Sequence, residues 1–125
     1  MKPITREWIA KAEGDWRVVN SQNRSRNPVY DAICFHAQQT VEKYLKAWLS
    51  EEGVNFPKIH DTEVLLNMCV RTLPEVAKYD AEARYLTTYA VEIRYPGVFA
   101  AEMHAKNCTI AARKIRKVVR TTLSL

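Results

Sequence analysis

The chain has 125 residues and a formal net charge of +5, with 47% hydrophobic and 26% charged residues. That length is one domain, large enough to bury a core without staples, and the composition excludes a disordered or collagen-like chain. Three cysteines are an odd number for a disulfide framework, and only 3 Gly and 5 Pro argue against an all-β architecture.

No stretch approaches the roughly 20 apolar residues of a membrane span. Residues Met1 to Glu7 lack the apolar centre of a signal peptide, so a cytoplasmic protein without membrane contact is expected. The charge is uneven. Lys106, Arg113, Lys114, Arg116, Lys117 and Arg120 lie in a final segment without Asp or Glu, which leaves the rest of the chain at −1.

Trp8, Ile9, Ala12, Trp16 and Val19 recur every three or four residues and predict a first helix over 5–20, with Thr5 as its N-cap. Residues 20–28 have no apolar side chain before Pro28 and predict a loop. Tyr30, Cys34, Ala37, Val41, Tyr44 and Trp48 step 4-3-4-3-4, the strongest periodicity in the chain. They predict a second helix that Gly53 stops.

Asp61 is placed to cap a short third helix that turns Val64, Leu65, Met68 and Cys69 inward, with Pro74 interrupting it. A fourth helix is predicted from Pro74 to Arg94, with Val76, Tyr79, Ala83, Leu86, Ala90 and Ile93 on one side. Pro96-Gly97 ends it, because proline disfavours helical geometry in the residue before it. Ala101, Ala105, Cys108, Ala112, Ile115, Val119 and Thr122 mark a last helix over about 98–122. No segment alternates with period two. The expected fold is a single all-α domain over 1–125, an antiparallel up-and-down bundle of four to five helices.

Chemistry is sparse. Cys34, Cys69 and Cys108 are far apart and sit on apolar helical positions, and His36, His60 and His104 form no ligand pair. Metal sites group their ligands closely, so neither metal nor cofactor is expected. No nucleophile elbow, phosphate loop or carboxylate pair supports a hydrolase or kinase. His60, just before the Asp61 cap, either bonds a loop carbonyl or faces a phosphate.

On the second helix Gln39, Lys43 and Lys46 form one stripe, and Gln38 and Glu42 form an i, i+4 pair. Two readings are open: solvated intrahelical pairs, or two ammonium groups holding a phosphate near Arg94. On the last helix Arg113, Arg116, Lys117 and Arg120 form a basic stripe opposite the apolar face. It is either a contact for nucleic acid or an acidic partner, or a solvated exterior that complements the helix dipole.

The run from Tyr30 to Ala47, with Gln38-Gln39, Glu42-Lys43 and Leu45-Lys46-Ala47, resembles the signature helix of the HEPN family. His60-Asp61 with Leu65-Leu66, Tyr89 with Arg94-Tyr95-Pro96, and Ala12 with Asp15 resemble further family segments, in order along the chain up to residue 97. The resemblance implies an all-α bundle, usually a homodimer, associated with nucleotide or RNA. Many members are encoded beside a minimal nucleotidyltransferase and pair with it, some as toxin with antitoxin.

Carried over, the polar matches are Asp15, Gln39, Glu42, Lys43, Lys46, His60, Asp61 and Arg94. RNA-cleaving members carry an Arg and a His four to six residues apart. Here nine residues separate Arg94 from His104, and acid–base work needs both groups within reach of the reacting atoms.

The expected function is therefore a non-enzymatic, nucleotide- or phosphate-binding homodimer that uses Gln39, Lys43, Lys46, His60 and Arg94 and partners a minimal nucleotidyltransferase. The dimer contact is expected from the seam of the second helix, or from Trp48 and Tyr44 at the surface. The alternatives are a metal-independent ribonuclease using Arg94 and His104, and an interaction bundle with no ligand.

Overall fold

The apolar spacings close into five α-helices and one 3-10 segment, with no strand, in a computed structural model that describes residues 1–125. The helices are α1 (Pro3–Arg24), α2 (Tyr30–Glu51), α3 (Thr62–Cys69), α4 (Asp80–Glu92) and α5 (Glu102–Thr122), with the 3-10 segment Pro74–Tyr79 between α3 and α4. The chain is an all-α helical bundle. None of its helices is long and apolar enough to cross a membrane.

α2 is the central helix and packs on α1, α3, α4 and α5. Thirteen of its 22 residues are buried, far more than a two-position seam supplies. Val41, Tyr44, Leu45 and Leu49 are wholly enclosed, and Leu65, Leu86, Ile115 and Val19 meet them from the other helices. The helix ends as a Schellman turn. Gly53 takes φ +69°, while Val54 N–H donates to Leu49 O and Gly53 N–H to Ser50 O.

Several expectations are corrected. Tyr44 and Trp48 are interior, at 0% and 7% exposure. Tyr44 Oη donates to Glu13 at 2.6 Å and accepts from Arg120 at 3.0 Å, and Trp48 Nε1 donates to Thr72 at 2.9 Å. The α2 seam is thus covered by the chain's own helices and leaves no free dimer contact.

The first helix does not stop at residue 20. Its polar last turn is held by tertiary bonds, from Asn23 Nδ2 to Thr109 at 3.1 Å and from Val29 N–H to Gln22 at 2.8 Å. Nor is Thr5 the cap. It is buried in the first turn and donates to Glu51 Oε1 at 2.9 Å, an oxygen that also accepts from Lys2 N–H.

Val64 points outward, 46% exposed, while Leu65, Leu66 and Cys69 fill the inner face. The six residues from Pro74 wind as a 3-10 turn, and Tyr79 (φ −106°, ψ 20°) redirects the chain before α4. α5 begins at Glu102, because Ala101 is extended and Ala100 N–H is tied to Asp31 at 2.6 Å. The basic stripe of α5 is split. Arg116 turns inward to grip Glu13 with two bonds of 2.7 and 2.8 Å, and Arg120 reaches Tyr44.

The Asp61 cap forms as expected, with Oδ1 accepting from Glu63 N–H at 2.9 Å and Val64 N–H at 3.1 Å. All three cysteines are free and buried. No three His, Cys, Asp or Glu side chains gather as a metal site needs.

Candidate functional site

The polar side of α2 points into the bundle. Gln38, Glu42 and Lys46 are each one turn apart and are 3%, 3% and 5% exposed. A buried carboxylate without donors costs several kcal/mol, and Glu42 has three. Oε2 accepts from Lys46 Nζ at 3.2 Å, and Oε1 faces Gln38 Nε2 and His60 Nδ1, each at 3.2 Å. The Lys46 ammonium also lies 5.3 Å from the centre of the Trp8 ring, which helps keep a cation in an apolar wall.

Asp15 on α1 makes a second, separate cluster. It accepts from Lys43 Nζ and meets His36 Nδ1 at 2.7 Å. Each lysine therefore serves its own carboxylate, and the two ammonium groups do not converge on one anion. Gln39 donates to Gln38 Oε1 at 2.7 Å. Lys46 is thus buried, while Gln39 and Lys43 are half-buried and engaged with Gln38 and Asp15.

A cleft of about 240 Å³ opens where the start of α3 meets the end of α4. Gln38, His60, Asp61, Thr87, Val91 and Arg94 line it. Gln38 Nε2 donates to the His60 carbonyl at 2.8 Å, and Glu42 holds the ring at Nδ1. With its side chain 77% exposed, His60 turns Nε2 to the cleft and solvent.

Thr62 pins α3 to α4. Its Oγ1 donates to Ala83 O, and its N–H donates to Thr87 Oγ1 at 2.9 Å. Arg94, two residues past α4, has no carboxylate partner and rests its guanidinium 5.8 Å from the centre of the Phe35 ring. Asp61 already satisfies two N–H groups at the start of α3, so the helix terminus is not the anion receptor. Arg94 and the open face of His60 are the cationic or titratable groups left at the mouth of this cleft.

His104 lies elsewhere. Its Nδ1 accepts from Ala101 N–H at 2.9 Å, capping α5, and its ring stacks on Tyr89 with 4.5 Å between centroids. A neutral ring accepting at Nδ1 carries its proton on Nε2 and offers a donor there rather than a base.

Of the residues expected at one site, the structure brings together His60 and Arg94 with Asp61. Gln38 and Thr87 were not expected there. Gln38 was visible in the Gln-Gln pair of the signature helix, whereas nothing in the sequence marks Thr87, whose place depends on how α4 packs on α3.

Comparison with protein families matches residues 5–122 to the model of the HEPN domain. Comparison with curated proteins and with solved structures gives no match.

Proposed function

The chain belongs to the HEPN domain family, and we propose that it is a nucleotide- or phosphate-binding member that acts as a homodimer in the cytoplasm. One observation carries this reading: Arg94 and His60 open onto the same cleft without a carboxylate occupying Arg94. A phosphate takes the charge of Arg94, and His60, whose Nδ1 is held by Glu42, donates to it from Nε2 as the imidazolium, the form in which both ring nitrogens are donors. Thr87 and the Asp61 carboxylate lie within the same cleft for hydroxyl groups of a nucleoside. Lys46 acts through Glu42 and Gln39 through Gln38, so both are positioning residues, and Lys43 holds α1 to α2 through Asp15.

The homodimer is supported by exposed apolar side chains beside Arg94. Val91, Tyr95, Val98, Phe99 and Met103 are 49%, 64%, 41%, 80% and 61% exposed. Such a patch on a small domain fits a partner surface, and a second copy is the partner that the family resemblance implies. Pairing with a minimal nucleotidyltransferase, as in toxin–antitoxin couples, rests on that resemblance. His104, bonded to Ala101 N–H and stacked on Tyr89, does not line the cleft with Arg94, so the ribonuclease alternative is ranked second.

Calorimetric titration of ATP tests the site. Wild-type protein is expected to bind, and Arg94→Ala is expected to weaken binding at least about tenfold, the size of one charge-assisted bond pair. A flat wild-type titration overturns the reading.

A further inference from the structure

The remaining cations of α5 share one side of the helix. Lys106, Arg113, Lys114 and Lys117 are exposed, and none is among the ion pairs of the protein. At about 100° per residue they fall within an arc of roughly 100°, along a ridge about 16 Å long.

Two hollows widen this face. One of about 320 Å³ between α1 and α5 sets Arg24 beside Lys106 and Arg113. Another of about 480 Å³, between the 3-10 turn and α5, sets Lys78 beside Lys114 and Lys117. Glu75, Glu82 and Glu102 are the carboxylates that line hollows with these lysines, which leaves six cations against three.

The aromatic rings nearby are covered or half-buried, with Tyr85 paired to Tyr89 beside Lys114 and Tyr30 half-buried beside Lys106. Lys78 lies 5.3 Å over Tyr79, and Arg113 and Arg116 lie 6.0 and 5.4 Å over Trp16. Single strands are held largely by stacking bases on open rings. A face of cations with its rings capped or half-buried suits a paired strand, whose bases are already stacked and whose phosphates face outward.

We propose that this face of α5, with Arg24 and Lys78, docks on the phosphate backbone of a nucleic-acid duplex without reading its sequence. It shares no residue with the Arg94 cleft and stands independently of the nucleotide reading. A duplex carries a charge about every 1.7 Å along its axis, so a rigid ridge of this length meets several phosphates at once.

The test is fluorescence anisotropy of the full chain with a labelled blunt duplex and a single strand of the same length, across a salt series. With about five phosphates neutralised, log affinity falls against log salt with a slope near −4.5. Removing two contacts, in Lys114→Glu/Lys117→Glu, flattens the slope by about 2 and weakens binding roughly 50-fold at 0.1 M salt. Lys114→Gln/Lys117→Gln, gentler on the fold, moves both in the same direction, and circular dichroism checks that each variant keeps its helices.

Arg94→Ala leaves duplex affinity unchanged, and the α5 variants leave ATP titration unchanged, so the two sites fail separately. No duplex binding at low salt overturns the proposal. So do tighter binding of the single strand, indifference to the α5 variants, and equal competition by poly-glutamate at matched charge.

Discussion

Glu42 and Lys46 face each other one turn apart on α2, Oε2 to Nζ 3.2 Å, with both side chains inside the bundle at 4% and 6% exposure. A buried pair of this kind stabilises little as a pair, yet removing one member strands the other charge. Lys46→Met is therefore expected to lower stability by about 3 kcal/mol, and Glu42→Gln/Lys46→Met by less than Lys46→Met alone. Urea denaturation of the two variants and Glu42→Gln completes the cycle. Additive losses would show that the two groups act independently.

The half-buried carboxylate of Glu13 contributes to the pH response. Two bonds from Arg116 hold Glu13 below the ordinary carboxylate value, assisted by the Tyr44 hydroxyl and opposed by burial. A depressed folded value contributes stability above the unfolded value, lost as pH falls through the folded one. Tyr44 works at the other end: burial, and then its bond to Glu13, push it up to about 12 from 10. A raised folded value contributes stability below pH 10 that is lost as pH climbs toward 12. Thermal melts should show both flanks. Glu13→Gln should flatten the acid one and Tyr44→Phe should reduce the alkaline one, and unchanged profiles would remove this cluster as their source.

These two clusters mark what could be read from the sequence. The α2 seam was legible because Cys34, Ala37 and Val41 repeat locally, and the Asp61 cap because its donors are its own neighbours. The burial of Lys46 was not legible, since its cover is Trp8 on another helix. Arg116 read as one member of an outward basic stripe, with a partner contact and a solvated exterior both open, because Glu13 lies 103 residues away. The last turn of α1 read as a loop because Gln22 and Asn23 are fixed by Val29 and Thr109 rather than by helix propensity. His60 and Arg94 were recognisable singly, as a residue before a cap and a cation at a helix end. Their shared cleft needs α3 docked on α4 through Thr62.

Gly53, like Gly97, takes a backbone conformation that favours glycine. Its φ of +69° closes the Schellman turn of α2, and a Cβ there would meet only Lys2 Nζ at 3.5 Å. Space is adequate, so the cost is conformational. Gly53→Ala should destabilise by about 1 kcal/mol, read from the urea midpoint with an unchanged slope. A neutral result would mean that the turn readily rearranges.

Lys43 and Arg94 should separate under ATP titration. Lys43 bonds Asp15 and does not line the cleft, so Lys43→Ala should lower the melting temperature while keeping ATP affinity within about threefold, under 1 kcal/mol. Arg94, solvent-exposed and without a carboxylate, should show the reverse: affinity lost and the melting temperature kept. Equal affinity losses in both variants would place Lys43 in direct contact with the ligand.

Phe99 is the most exposed large apolar side chain of the protein at 80%, and its place is not loose. The next residue, Ala100, donates its N–H to Asp31 Oδ1 at 2.6 Å, which anchors the segment to the first turn of α2. An anchored aromatic among Tyr95, Val98 and Met103 loses little freedom on contact, the property that makes aromatics central to interfaces. Phe99→Asp should therefore shift the protein from dimer to monomer in light scattering coupled to size exclusion. The expected weakening is about 30-fold or more, the 2 kcal/mol that defines a dominant interface residue. Because Phe99 makes no core contact, its thermal melt at low protein concentration should stay near wild type. A wild-type protein that remains monomeric at high concentration would remove the homodimer, and with it the role of this patch.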